Sequence, residues 1–155
     1  MEYRSHFHQE SFSATPERLF DLLITPSAIR GWWGASRAIV IPKPGGIWAA
    51  AWGDEDDPDY ISTATLVEYA PPRRLAMKYG EYYAKTGSLP FKFSDDSVTL
   101  FTIEPGGNGS ILRVEQTGFP CDAVADEFYA ACETGWKNTF DGIRRYLQVS
   151  PATKI

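Results

Sequence analysis

Residues 122–148 read DAVADEFYAACETGWKNTFDGIRRYLQ, and this stretch decides the fold. Its apolar residues fall at Phe128, Cys132, Trp136, Phe140, Ile143 and Leu147, in steps of three and four. Such steps stack side chains on one face of a single long helix. A helix apolar on one face needs an apolar surface to cover, and the upstream residues supply it. Residues 97–105 and 110–117 read as a hairpin around Gly106-Gly107-Asn108-Gly109. Residues 35–41, 46–53, 60–69 and 75–80 each fit a strand bounded by Gly, Pro or acidic turns. Asp54 to Asp59 makes a solvated hairpin tip, and Pro71-Pro72 ends the strand before it. Residues 3–12 form the first strand. Thr15 then caps a helix with Pro16 at its first position and Leu19, Phe20, Leu23 and Ile24 as its stripe. Pro26 stops that helix, and Ser27 to Trp33 adds one more short turn. Residues 81–96 have weak periodicity but carry Tyr82, Tyr83, Phe91 and Phe93, which reads as a long mobile loop of the kind that covers binding sites. The class is α+β, an antiparallel sheet covered by one long helix.

At 155 residues the chain fits one domain, 1–155, with no repeat or low-complexity linker. Hydrophobic residues at 43% exclude disorder, and aromatics at 14%, five of them Trp, hint at an apolar cavity. The 15 basic residues against 20 acidic ones leave a net charge of −5. An acidic domain without a basic stripe gains nothing from counterion release, so no nucleic-acid partner is expected. The N-terminus, Met1-Glu2-Tyr3-Arg4-Ser5-His6, is charged where a signal peptide would be apolar. Ile47 to Trp52 is far shorter than the roughly 20 residues a membrane helix needs, so no membrane span is expected. Cys121 and Cys132 make no disulfide framework, and reduced thiols in the cytoplasm are the expectation.

Several motifs together resemble a known family. Ala14-Thr15-Pro16-Glu17-Arg18-Leu19-Phe20 and Gly31-Trp32-Trp33-Gly34 open the series. Gly45-Gly46-Ile47-Trp48, Pro71-Pro72-Arg73-Arg74-Leu75 and Thr102-Ile103-Glu104-Pro105 follow. Gly118-Phe119-Pro120, then Gly135-Trp136 with Tyr146-Leu147, complete it. In this order they resemble the activators of the heat-shock protein 90 ATPase, bacterial stand-alone type, within the START/Bet v 1-like superfamily. The resemblance implies a helix-grip fold: a curved sheet wrapped around the C-terminal helix, two short helices after the first strand, and a tunnel between sheet and helix. It implies no catalytic residue, because the matched motifs are turns and packing positions. Two departures stand out. Gln116 occupies a position where many relatives carry His, and the 81–96 loop is longer than usual. The stand-alone type lacks the N-terminal domain of eukaryotic activators, and the same is expected here.

The candidate site residues lie on strands and on the long helix. His6, His8 and Glu10 share a strand face and have zinc-ligand chemistry. With no further histidine in the chain, a polar strand face is the simpler reading and no metal is expected. Phe12 has the same parity and points inward, so His8 and Glu10 are expected to line the cavity as a polar anchor. Trp48 and Trp52 flank Ala50 on one face, which suits a pocket wall or simple core packing equally. Trp33, with Trp32, lies at a helix-to-strand junction where packing is the plainer role. Trp136 and Phe140 are read as core and cavity floor, beside Phe128 and Cys132. Tyr60, Met77, Tyr79, Phe101, Leu112 and Gln116 complete the expected wall. A one-residue register error would turn any of these strand residues to the other face.

Other chemistries find little support. The acidic run 54–59 lacks calcium-loop spacing, the glycine turn lacks the lysine of a phosphate loop, and Gly-x-Ser-x-Gly is absent. Cys121 precedes a helix, with no histidine nearby in sequence to act as its base. No cofactor is expected. The leading reading is non-enzymatic binding of a small hydrophobic molecule between sheet and helix. The alternatives are a chaperone-activating module with a protein partner, and a cyclase-, aromatase- or hydratase-type enzyme using the same cavity. The open edge of an antiparallel sheet also permits a homodimer.

Overall fold

The computed structural model describes residues 2–149. Strand β1 (Tyr3–Phe12) leads into helices α1 (Pro16–Ile24) and α2 (Pro26–Trp33). Six strands follow: β2 (Arg37–Val40), β3 (Ile47–Gly53), β4 (Pro58–Ala70), β5 (Arg74–Ala84), β6 (Thr99–Gly106) and β7 (Gly109–Pro120). A short 3₁₀ turn (Ala123–Ala125) enters helix α3 (Asp126–Val149). All seven strands form one antiparallel sheet in the order β1-β7-β6-β5-β4-β3-β2. The chain therefore meanders from β2 to β7 and closes by pairing β7 with β1. This is the helix-grip fold.

Local chemistry accounts for the helix ends. The Thr15 hydroxyl accepts from the Arg18 amide, and Pro16 and Pro26 each occupy a first turn, where a missing N–H leaves no helix bond unmade. Gly34 ends α2 in the left-handed region at φ 77°. Helix α3 buries Trp136, Phe140 and Ile143, while Phe128, Cys132 and Leu147 on the same face are half-buried. Gly142 sets how closely α3 approaches α2. A methyl group there would stand 2.4 Å from the Trp32 carbonyl oxygen.

The tryptophans fill volume. Trp33 contacts all four others, stacked on Trp32 at 4.8 Å and at 5.7, 5.7 and 5.9 Å from Trp48, Trp52 and Trp136. The aromatic surplus is thus spent largely on a single packed cluster joining α2, β3 and α3. Trp32 and Trp52 satisfy their indole N–H groups on the carbonyls of Leu22 (2.8 Å) and Trp33 (3.2 Å).

Element boundaries depart from expectation at the distal end of the sheet. β5 runs on to Ala84, so the first residues of the expected 81–96 loop are strand. β7 runs on to Pro120 and takes the Gly-Phe-Pro motif into the sheet. β5 and β6 pair only from Arg74↔Thr102 to Met77↔Thr99. Beyond Met77 no sixth strand lies between β5 and β7, and the segment 85–98 crosses the gap.

Candidate functional site

A cavity of about 680 Å³ occupies this gap, lined by β4, β5, β7, the 85–98 segment and the first turns of α3. Its apolar wall is a clasp of phenylalanines from three elements. Phe91 and Phe93 come from the crossing segment, Phe119 from β7 and Phe128 from α3, with ring centroids 5.1 to 6.4 Å apart. The spacing and tilted rings are those of favourable edge-to-face contacts. Phe128 is only half-buried because it faces this space and not packed strand.

The crossing segment is tied to β7 by backbone and side-chain bonds. The Ser94 amide donates to the Gly118 carbonyl (2.9 Å), and Val98 and Thr117 exchange bonds through N–H, C=O and hydroxyl groups. The Ser97 hydroxyl donates to the Thr117 carbonyl at 2.6 Å. Gly118 makes the close passage feasible. Its φ is 85°, and a methyl group there would lie 2.5 Å from the Ser97 Cβ.

The buried end of the cavity is polar but uncharged. Trp136 Nε1–H donates to Gln116 Oε1 at 2.8 Å. Because indole nitrogen only donates, this bond fixes which way the amide points. Gln116 Nε2 then donates to Thr99 Oγ1 at 3.1 Å, and Thr99 is 1% exposed. The Tyr79 hydroxyl has Thr99 and Gln116 as polar neighbours. Burial raises its pKa above the usual phenol value, and hydrogen bonding from Thr99 opposes that shift. Cys132, also in the wall, has its thiol pushed up to about 11 by burial, so it is a neutral apolar contact and not a nucleophile.

Of the residues expected in the wall, Tyr79, Gln116, Phe128 and Cys132 stand there together. Trp136 sits behind Gln116 and orients it without lining the space. Trp33, Trp48, Trp52, Met77, Phe101, Leu112 and Phe140 belong to the packed interior. They stand away from the wall because the cavity opens at the opposite end of α3's apolar face. Tyr60 is 45% exposed beside the β3–β4 hairpin and is no wall residue either. Phe119, Thr99, Ser97 and Leu89 line the cavity and were missed, as was the inward role of Phe91 and Phe93 beyond a lid. The only sequence signal for them was the alternation Phe91-Lys92-Phe93 and the Gln116-Thr117-Gly118 break.

His8 and Glu10 do share a face with His6 and Phe12, as their parity requires. The bulge in β1 lies earlier, between Arg4 and His6. They miss the cavity, however, and border a separate shallow groove of about 400 Å³ with Lys137 and Asp141. Glu10 is held by Arg144 at 2.7 Å, and His8 Nε2 shares a 2.9 Å hydrogen bond with His6 Nδ1. Burial lowers the pKa of both histidines, that of His6 to about 4. Among the described residues no three His, Cys, Asp or Glu side chains stand together as a metal site.

A sheet gripping a long helix, with a cavity at the helix's N-terminal end, defines a START-like domain. The family model for "Activator of Hsp90 ATPase homolog 1-like protein" matches residues 13–148, and the chain belongs to that family. Solved structures agree on the fold. A Mesorhizobium loti protein superposes with TM-score 0.73 at 20% identity, over 96% of this chain and 99% of that one. A Mycobacterium smegmatis protein gives 0.73 at 16%, over 95% and 92%. The Aha1 dimer from Colwellia psychrerythraea gives 0.70 at 14%, over 94% and 97%. No curated protein matches the sequence.

Proposed function

We propose that this protein binds a small hydrophobic molecule in the cavity between β5, β7, the 85–98 segment and α3. The observation that carries the reading is the phenylalanine clasp along one wall of a cavity of about 680 Å³ that ends in polar, uncharged groups. That volume lies within the 300–1,000 Å³ typical of small-molecule sites, and apolar walls with a few convergent polar groups are their usual make-up. The enzymatic alternative loses its His8–Glu10 pair, because these are engaged with His6 and Arg144 outside the cavity, and is left with the tyrosines Tyr79 and Tyr82 in the wall.

The test uses the neutral dye N-phenyl-1-naphthylamine, whose fluorescence rises in apolar surroundings. Wild type enhances the dye saturably. Cys132→Trp, which places an indole in the space, weakens binding about tenfold or more while far-UV circular dichroism stays unchanged. Unaltered affinity in that variant would put the dye elsewhere and sink the proposal.

Family membership supports a second reading, a module that activates a heat-shock protein 90 ATPase. A dose-dependent rise in that ATPase rate is its signature, and a flat response disposes of it. The dimeric state of the Colwellia protein supports a homodimer here. No described helix is long and apolar enough to cross a membrane.

A further inference from the structure

Resting on the ligand-binding reading, we infer that the bound molecule presents an uncharged oxygen acceptor, a ketone or quinone carbonyl, to the Tyr79 hydroxyl, and that carboxylates are rejected there. The argument begins with the direction of each hydrogen bond. The Gln116 carbonyl oxygen is committed to Trp136 Nε1–H. What the amide has left to offer is hydrogen: one bond goes to Thr99 Oγ1, and Thr99 and Gln116 both hydrogen-bond the Tyr79 oxygen. The Tyr79 O–H is then the donor left at this end of the cavity. The buried end therefore offers one oriented donor, and the group that satisfies it is an acceptor.

Charge separates carbonyl from carboxylate. Nothing at this end can neutralise an anion: Tyr79, Thr99, Gln116, Trp136 and the Cys132 thiol are all neutral near pH 7. The charged residues that touch the cavity, Lys78, Lys92 and Asp95, are all exposed and belong to its solvent side. A carboxylate pushed to the buried end would lose its hydration with no cation to replace it. A neutral carbonyl loses far less and gains the Tyr79 hydrogen bond. The phenylalanine clasp supplies the complementary preference for a flat or alicyclic apolar body.

The experiment compares three probes that share one ring system, each competing with N-phenyl-1-naphthylamine at neutral pH. They are 2-acetylnaphthalene, 2-ethylnaphthalene and 2-naphthoate. Wild type is expected to bind the ketone about fivefold tighter than the hydrocarbon, the gain of one neutral hydrogen bond. The naphthoate is expected at least about tenfold weaker than the ketone. Tyr79→Phe should bring ketone affinity down toward the hydrocarbon's. Equal binding of ketone and hydrocarbon, naphthoate binding as well as the ketone, or a ketone preference surviving in that variant overturns the inference while leaving the cavity reading intact. Failure of the dye itself to bind removes the cavity reading, and the inference with it.

Discussion

Replacing Trp136 by alanine lowers the stability of the fold by about 3–5 kcal/mol, the range for removing a large buried aromatic. Trp136 is 5% exposed and stands where the two halves of the interior meet. Its ring contacts Trp33 at 5.9 Å on one side and Phe101 and Phe140 at 5.8 and 5.9 Å on others. Its N–H holds the Gln116 amide that closes the buried end of the cavity. Truncation therefore removes packing from α3, from the tryptophan cluster and from the cavity's polar end at once. Against a typical total of about 5–15 kcal/mol, that is a large fraction of what holds the domain folded. Trp136→Phe separates the contributions. It keeps most of the packing and leaves the half-buried Gln116 oxygen without its donor, at a loss of about 1–3 kcal/mol. Urea unfolding of both variants checks the pair of values. A Trp136→Ala midpoint indistinguishable from wild type would show that α3 is held by its other contacts.

That residue also shows how far the sequence could be read. The apolar steps from Phe128 to Leu147 placed Trp136 on the buried face of a long helix, and it is there. The strand order along the chain was equally legible, because period-two patterns and Gly or Pro turns are local signals. The tryptophans misled for a physical reason. Composition counts rings but cannot say that Trp32, Trp33, Trp48, Trp52 and Trp136 share one cluster, since that depends on α2 docking against β3 and α3. His8 and Glu10 show the same divide. Their parity was readable and correct, yet β1 is the edge strand beside β7, away from the gap that creates the cavity. The gap exists because β6 begins at Thr99 while β5 runs to Ala84, a mismatch between strands that no single segment reveals. Tyr79, Gln116, Phe128 and Cys132 entered the site because each lies next to that mismatch. Phe119 and Thr99, equally close to it, were hidden in segments that read as ordinary turn and strand.

The second large effect is a loss of stability on mild acidification, carried by His6. This side chain is 4% exposed, packed between Phe119 and Tyr129 at 4.9 and 5.1 Å, with His8 at 4.9 Å. Its Nδ1 is engaged with His8 Nε2, and its Nε2 is buried with no partner. Protonation would put a hydrogen on both nitrogens, leaving one buried donor unsatisfied and a charge without solvent. Burial first, and the neighbouring His8 second, lower its pKa from 6.5 to about 4. Glu133 on α3 acts on His8 in the opposite sense without cancelling the effect of burial there. Between those two pH values the unfolded chain binds a proton that the folded chain refuses. Stability is therefore full above about pH 6.5 and falls as the pH drops toward 4, by about 3 kcal/mol in total from His6. His6→Phe keeps an aromatic ring against Phe119 and Tyr129 and cannot take up the proton. Unfolding free energies measured from pH 7 to pH 5 should fall by about 2 kcal/mol more in wild type than in this variant. Carboxylates that titrate near the lower limit contribute equally to both proteins and drop out of the difference. Parallel pH profiles for the two would mean that His6 takes its proton as readily folded as unfolded, and that β1 opens to water at that position.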